Sequence, residues 1–242
     1  MTHAPAKSVR FGCLSRLLCY HSFSMYINAN RIYLDAIHYA QQIPASASDI
    51  EPGQSAALVT IIFAALSVET FTNEMAFHAE RECWRFPCAA VQTFANILKE
   101  MEEKHAPITS KLHMGSFLLA GKAFDKGNIT FQDFNSLVKL RNEIVHQKPF
   151  EGFTVDQQDN QLVKKHDILK LFVGKNVLGK RIISGNETYM DWLDEVSTRA
   201  MAVWGCAAAS AMVNAMLDAA LATGHFGKSM DSMYRQRFAA KP

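Results

Sequence analysis

Residues 57–68 read ALVTIIFAALSV, and this run decides the fold class. It lies in a segment from Ser55 to about Glu82 that contains neither Gly nor Pro, so the sequence predicts one long helix there. The first half of that helix is apolar almost all the way round, which is typical of a helix with neighbours on several sides. We therefore expect an all-α helical bundle with this helix near its centre.

The composition of the whole chain agrees with that expectation. Hydrophobic residues make up 49% of the 242 residues, enough apolar surface to offset the entropy of folding. With 12 Gly and 7 Pro, the chain favours long uninterrupted elements over a many-stranded sheet. The formal net charge is only +2, so binding of a nucleic acid would have to depend on a local basic patch.

The sequence also favours a cytoplasmic protein without a membrane partner. Five cysteines are an odd set, which fits reduced thiols better than a disulfide framework. The run Ala56–Val68 is shorter than the roughly 20 residues of a membrane span. The segment Ala200–Ala222 is long enough but carries Asn214 and Asp218, which indicates a buried helix of a soluble protein. No signal peptide is evident at the N-terminus.

Helical periodicity divides the chain into three parts. Residues 1–23 have no clear period and predict an N-terminal arm, and residues 224–242 predict a basic C-terminal tail. Between them, residues 24–223 predict a helical domain of about five to six helices. Inside this domain, residues 152–185 form a polar irregular insert before the last long helix, and residues 169–183 are open to either a hairpin or a short helix.

Local signals mark where several helices begin and end. Pro44 ends the first helix, and Pro107 and Gly121 bound the fourth. The fifth helix is predicted to start at an N-cap Thr130, with Asp133 at the capping-box position. The last long helix is predicted to run without a break over residues 192–222.

One segment carries candidate chemistry: residues 137–149, LVKLRNEIVHQKP, in which four residues separate Arg141 from His146. In this motif and in an earlier stretch, SVETFTNEM (residues 67–75, with Glu69 and Asn73), the chain resembles the HEPN domain family. The resemblance covers roughly residues 25–222. It implies a small α-helical bundle that dimerises.

The resemblance also implies a function. Many HEPN proteins are metal-independent ribonucleases of toxin–antitoxin, abortive-infection and CRISPR defence systems, whereas others are inactive binding modules. The implied catalytic residues are Arg141, Asn142 and His146, with Glu69, Asn73 and Lys148 in support. Lys148 stands where one branch of the family has a Tyr that a nucleotidyltransferase modifies. The expected partners are RNA, a second copy of the chain, and an antitoxin or nucleotidyltransferase; no cofactor or metal is expected.

The residue types fit cleavage of RNA. A histidine can move protons near neutral pH, and an arginine offers a planar, permanently charged fork to a phosphate. Asn142 could orient His146 or contact the phosphate. Because the sequence shows no common spacing of metal ligands, we expect the RNA 2′-OH to be the nucleophile.

The spacing of the motif predicts a composite site. On an ideal helix, Arg141 and His146 point about 140° apart, so one helix does not easily bring both to one phosphate. A two-fold dimer would bring two Arg and two His to a single cleft.

Other interpretations of these residues stay open. Arg141 could be a structural residue paired with a buried carboxylate such as Glu69, and His146 could cap helix carbonyls. Glu69 and Asn73 could line the cleft or brace two helices as a buried polar pair. Three functions therefore stay open. The chain is a nuclease, or it is a catalytically silent HEPN module that binds RNA, a nucleotide or a partner protein. The third alternative is a purely structural helical bundle. A zinc site at His78, Cys83 and Cys88 is disfavoured because its spacing matches no common site.

Overall fold

The computed structural model describes residues 28–44, 55–85, 88–146, 167–178, 192–222 and 228–242, and these ranges contain no strand. The prediction of an all-α fold is confirmed. The described ranges hold nine helices, more than the five to six that the sequence predicted. They are α1 (Asn28–Gln41), α2 (Ser55–Arg85), α3 (Ala89–Glu103), α4 (Ile108–Ala120), α5 (Ile129–Val145), α6 (Asp167–Gly174), α7 (Trp192–Val196), α8 (Arg199–Ala222) and α9 (Lys228–Phe238).

Helix α2 is the central element, as its apolar surround predicted. It packs against α1, α3, α5 and α8. Residues on its inner faces are fully buried, among them Ile61, Val68, Phe71 and Met75. Helix α8 lies beside it and contacts α1, α4, α5 and α9 as well. These two helices position the others, including the motif helix α5.

The start of α5 differs from the prediction. Its N-cap is Asn128, whose side-chain oxygen accepts a hydrogen bond from the Thr130 N–H at 2.8 Å, so the predicted N-cap at Thr130 is wrong. Asp133 is also not used in a capping box. Its carboxylate instead accepts a hydrogen bond from Lys175 Nζ at 2.6 Å, which ties the turn after α6 to α5. Asn is at least as good an N-cap as Thr, and the turn before α5 places Asn128 first.

The predicted continuous helix over residues 192–222 is interrupted. Helix α7 ends at Val196, and α8 begins at Arg199. The Thr198 hydroxyl accepts a hydrogen bond from the Met201 N–H at 3.2 Å and so caps the new helix. Ser and Thr side chains can satisfy backbone groups outside a helix, which makes such a break cheap.

The segment predicted as a basic tail contributes a packed helix. In α9, Tyr234 and Phe238 are fully buried, and the carbonyl of Phe238 accepts a hydrogen bond from Ser210 Oγ at 2.6 Å. Of the basic residues that suggested a tail, Arg235 is partly buried and pairs with Asp218 at 2.6 Å, and Arg237 is exposed. The helical bundle therefore extends beyond residue 223.

Part of the polar insert is helical. Of the segment over residues 169–183 that was open to a hairpin or a helix, residues 169–174 belong to α6. Phe172 of this helix is fully buried and packs edge-on against Trp204 of α8, with ring centroids 4.9 Å apart. The rest of the insert, apart from residues 167–178, and the predicted arm at residues 1–23 lie outside the described residues.

Among the described residues, two helices are long and apolar enough to cross a membrane by length and composition, namely residues Ser55–Arg81 of α2 and the whole of α8. About half of the most apolar window of each is buried against other helices of the bundle. Core helices of soluble proteins have the same length and apolar composition.

Candidate functional site

The site is built where α5 packs against α2. Leu137 of α5 and Ile61 of α2 both border Gly205 of α8, since a methyl group placed on that glycine would lie 3.6 Å and 3.7 Å from their side chains. Further along both helices, Arg141 of α5 meets Glu69 of α2.

Arg141 is held at the surface by two acceptors. Its Nη2 lies 3.5 Å from Oε2 of Glu69, and its Nη1 donates a hydrogen bond to Oδ1 of Asn142 at 2.9 Å. The Arg141 side chain is 29% exposed and that of Glu69 is 34% exposed. The structure therefore brings together three predicted site residues, and Glu69 is a partner of Arg141 without being a buried one. The guanidinium is accessible from solvent.

His146 is the C-cap of α5 and is exposed. The helix ends at Val145, and His146 adopts φ −110° and ψ 32°, outside the helical region. Its backbone N–H donates to the carbonyl of Asn142 at 2.9 Å. Because His146 lies beyond the regular helix, the ideal-helix angle of about 140° does not fix where its imidazole points. The negative end of the helix dipole lies at this position and favours a cation there.

The supporting residues are only partly brought together. Asn73 is exposed on α2, one helical turn after Glu69. Glu69 and Asn73 are therefore not a buried polar pair. Lys148 lies outside the described residues.

The buried carboxyl group of this stretch belongs to Glu74, which was not among the predicted site residues. Its Oε1 accepts hydrogen bonds from the backbone N–H groups of Asn28 at 2.7 Å and Ala29 at 3.2 Å, and its Oε2 accepts one from the Tyr234 hydroxyl at 2.7 Å. Burial raises the pKa of Glu74, and these hydrogen bonds oppose the rise. Glu74 thus joins α1 and α9 to α2.

A signal in the sequence could have found this residue. Glu74 lies three residues after Phe71 and four before His78, so a helical wheel puts it on the buried face of α2. Glu69, by contrast, falls at the edge of the exposed face. The same segment therefore carries one carboxylate for the surface site and one for the core.

The zinc site that the sequence disfavoured would use His78, Cys83 and Cys88, and the structure describes the side chains of His78 and Cys88. Within the residues described, there is no group of three or more His, Cys, Asp or Glu side chains that could hold a metal ion. The Cys83 side chain lies outside the part of the chain that the structure describes. His78 is buried in α2, and its pKa is lowered by burial and, secondarily, by the charge of Arg81.

The described site thus offers a fixed guanidinium, an amide and an exposed imidazole at one end of α5. Such a set can bind an anion and exchange protons with it. Comparison of the chain with protein families, with characterised proteins and with solved structures gives no match.

Proposed function

We propose that the protein is a metal-independent RNA endonuclease of the HEPN type, acting in a toxin–antitoxin or phage-defence system. The observation that carries this proposal is the partly exposed Arg141 side chain, which contacts Glu69 and Asn142 near the same helix end as the exposed His146. The motif residues are thus accessible to a substrate and are not buried in the core.

Arg141 binds the scissile phosphate in this proposal. A guanidinium donates two parallel hydrogen bonds to a phosphate and stays charged at every relevant pH. Glu69 and Asn142 hold the guanidinium in place before the substrate arrives, which lowers the entropy lost on binding. Negative charge grows on the phosphate oxygens during the reaction, so the arginine stabilises the transition state more than the ground state.

His146 moves the protons. One imidazole takes the proton of the RNA 2′-OH, the 2′-oxygen attacks phosphorus, and the bond between phosphorus and the 5′-oxygen breaks. A second imidazole, now as the imidazolium, donates a proton to the departing 5′-oxygen. The products carry a 2′,3′-cyclic phosphate and a 5′-hydroxyl. In a homodimer, the two copies of His146 supply the base and the acid.

The surface around the motif supports a dimer through this face. Val145, directly before His146, is an apolar side chain that is 50% exposed, so it is available to an interface through this face. An interface that includes Val145 from both copies brings the two motifs together about a two-fold axis. A stable interface needs about 800 Å² buried on each subunit. Light scattering at micromolar concentration gives the mass of a dimer if this is right and that of a monomer if it is not.

A second candidate is a catalytically silent HEPN module that binds RNA, a nucleotide or a partner protein. The contact between Arg141 and Glu69 favours it, because a paired arginine can brace α5 against α2 without any substrate. In that case the protein binds its ligand through the same face but leaves the phosphodiester intact.

For location and further partners, we propose a cytoplasmic protein whose two apolar helices α2 and α8 are core helices, because about half of their apolar windows is already buried. An antitoxin or a nucleotidyltransferase would bind the motif face and keep RNA away from Arg141. A gene for such a protein next to the gene of this chain would support the toxin system.

The test is RNA cleavage by purified protein in the presence of EDTA. Wild type is expected to cut single-stranded RNA and to leave DNA of the same sequence intact, because DNA has no 2′-OH. Arg141→Ala is expected to lose about 10²–10³ in rate and His146→Ala about 10²–10⁴, each with a melting temperature within about 4 °C of wild type. Activity that EDTA abolishes, or that both variants keep, contradicts the proposal and leaves the binding module ahead.

A further inference from the structure

The outer face of α5 is a row of polar side chains. Four of them lie within about 80° of one another around an ideal helix, namely Gln132, Asn135, Lys139 and Asn142. Asn135 is partly exposed, and the other three are exposed. The opposite face carries the fully buried side chains Phe134, Leu137 and Leu140. Helix α5 therefore packs its apolar face against α2 and α8 and leaves the polar face to solvent.

Lys139 is a cation on this outer face. Within the described ranges, Lys139 makes no ion pair, whereas Arg141 pairs with Glu69. Glu143 is a carboxylate on the same face, four residues after Lys139. On an ideal helix, Glu143 lies on one side of Lys139, and the amides of Asn135 and Asn142 lie on the other side. An anion bound between Lys139 and these amides is therefore directed away from the carboxylate.

Lys139 lies close to the motif because both belong to one helix. Asn142 follows Lys139 by three residues, which puts their Cβ atoms about 5–6 Å apart. The Oδ1 atom of Asn142 accepts the hydrogen bond from Nη1 of Arg141 at 2.9 Å. The ammonium group of Lys139 is thus one helical turn from a direct partner of the Arg141 guanidinium. A phosphate next to the one bound at Arg141 is within reach of this lysine.

We infer that Lys139 and Asn135 form a second phosphate subsite, which binds the phosphate next to the scissile one in a single-stranded RNA. The inference rests on the proposed function and adds to it two residues outside the motif. The Lys139 ammonium supplies the charge, and the Asn135 amide, four residues earlier on the same face, donates a hydrogen bond to the same phosphate. Both groups contact the backbone of the strand, so the subsite orients the RNA without selecting a sequence.

The salt dependence of binding tests the subsite without cleavage. The probe is a fluorescein-labelled single-stranded RNA oligonucleotide with 2′-O-methyl groups, which cannot be cut through the 2′-oxygen. Fluorescence anisotropy gives its Kd between about 50 and 200 mM salt. Each phosphate of a single strand that a cation neutralises contributes about 0.7 to the slope of log affinity against log salt concentration. Lys139→Ala is therefore expected to make this slope shallower by about 0.7 and to weaken binding about 1.5- to 5-fold at physiological salt.

Three further variants separate a phosphate contact from other effects. Lys139→Arg keeps the charge and is expected to keep the slope. Asn135→Ala removes a neutral donor, so it is expected to weaken binding and to leave the slope unchanged. The matched control is Lys126→Ala, which removes another exposed lysine, in the turn before α5 and about 15 Å away along the helix axis. This distance exceeds the Debye length of about 8 Å at physiological salt, so the control is expected to change neither slope nor affinity.

Three outcomes overturn the subsite. The first is an equal slope in wild type and Lys139→Ala. The second is an equal change of slope in Lys139→Ala and Lys126→Ala, which is a general effect of charge. The third is a loss of dimer mass in light scattering of Lys139→Ala, because the lysine then belongs to a protein interface.

The subsite and the nuclease can fail separately. Wild type that binds no probe but cleaves unmodified RNA removes the subsite and keeps the nuclease. A slope that depends on Lys139 in a protein that cleaves no RNA keeps the subsite and puts the silent binding module in place of the nuclease.

Discussion

Replacing Arg141 by Ala separates catalysis from structural support, because the structure sets the size of the structural effect. The pair between Arg141 and Glu69 is a single contact of 3.5 Å between side chains that are each about a third exposed. Pairs of this kind contribute about 0.2–1 kcal/mol to the free energy of unfolding. For a chain of this size, that corresponds to a fall in melting temperature of about 0.4–4 °C. The cleavage rate, by contrast, is expected to fall about 10²–10³-fold.

The assay combines thermal unfolding with cleavage of one labelled RNA by Arg141→Ala, Arg141→Lys and Glu69→Gln. The lysine variant keeps the charge but lacks the planar fork, so it is expected to recover only part of the rate. Glu69→Gln breaks the ion pair and keeps the guanidinium, so it is expected to lose less activity than Arg141→Ala at a similar stability. A loss of about 3 kcal/mol or more in Arg141→Ala, or equal activity losses in Arg141→Ala and Glu69→Gln, refutes this reasoning and makes Arg141 a brace.

Two further predictions concern stability. Burial raises the pKa of Glu74 above its unfolded value of 4.5. The folded protein therefore keeps this proton at pH values where the unfolded chain has lost it. The contribution of the protonated Glu74 to the free energy of unfolding is complete below pH 4.5 and falls as the pH rises through the folded pKa. Glu74→Gln is expected to flatten this part of the curve of unfolding free energy against pH, and an unchanged slope speaks against the assignment. Asn128→Ala is expected to cost about 0.5–2 kcal/mol in chemical denaturation, because the N-cap hydrogen bond to Thr130 is lost. Thr130→Ala is expected to lower the free energy of unfolding by less than Asn128→Ala. A larger loss in Thr130→Ala than in Asn128→Ala would show that Thr130 is the N-cap.

Signals that act within a few residues were predictable from the sequence. Gly121 ends α4 in the left-handed conformation with φ 65°, which glycine adopts at no steric cost. The central position of α2 follows from its apolar surround. The break at Thr198 was missed because the surrounding sequence has high helix propensity, which a local cap can override.

What depends on partners far along the chain was predictable only in part. Tyr234 reads as one residue of a polar, basic segment, and its burial follows from a hydrogen bond to Glu74, 160 residues away. The sequence suggested that Arg141 could pair with Glu69, but it suggested a buried Glu69. The partial exposure of both side chains depends on how closely the helices pack around the pair, which the sequence does not give.

The most direct test of the central claim is the chemistry of the new RNA ends. A defined single-stranded RNA is incubated with wild type in EDTA, and the fragments are weighed by mass spectrometry, with His146→Ala as the matched control. Transfer through the 2′-OH predicts fragments with a 2′,3′-cyclic phosphate and a 5′-hydroxyl, formed about 10²–10⁴-fold more slowly by His146→Ala. Fragments with a 5′-phosphate and a 3′-hydroxyl, or equal rates for wild type and His146→Ala, contradict the account.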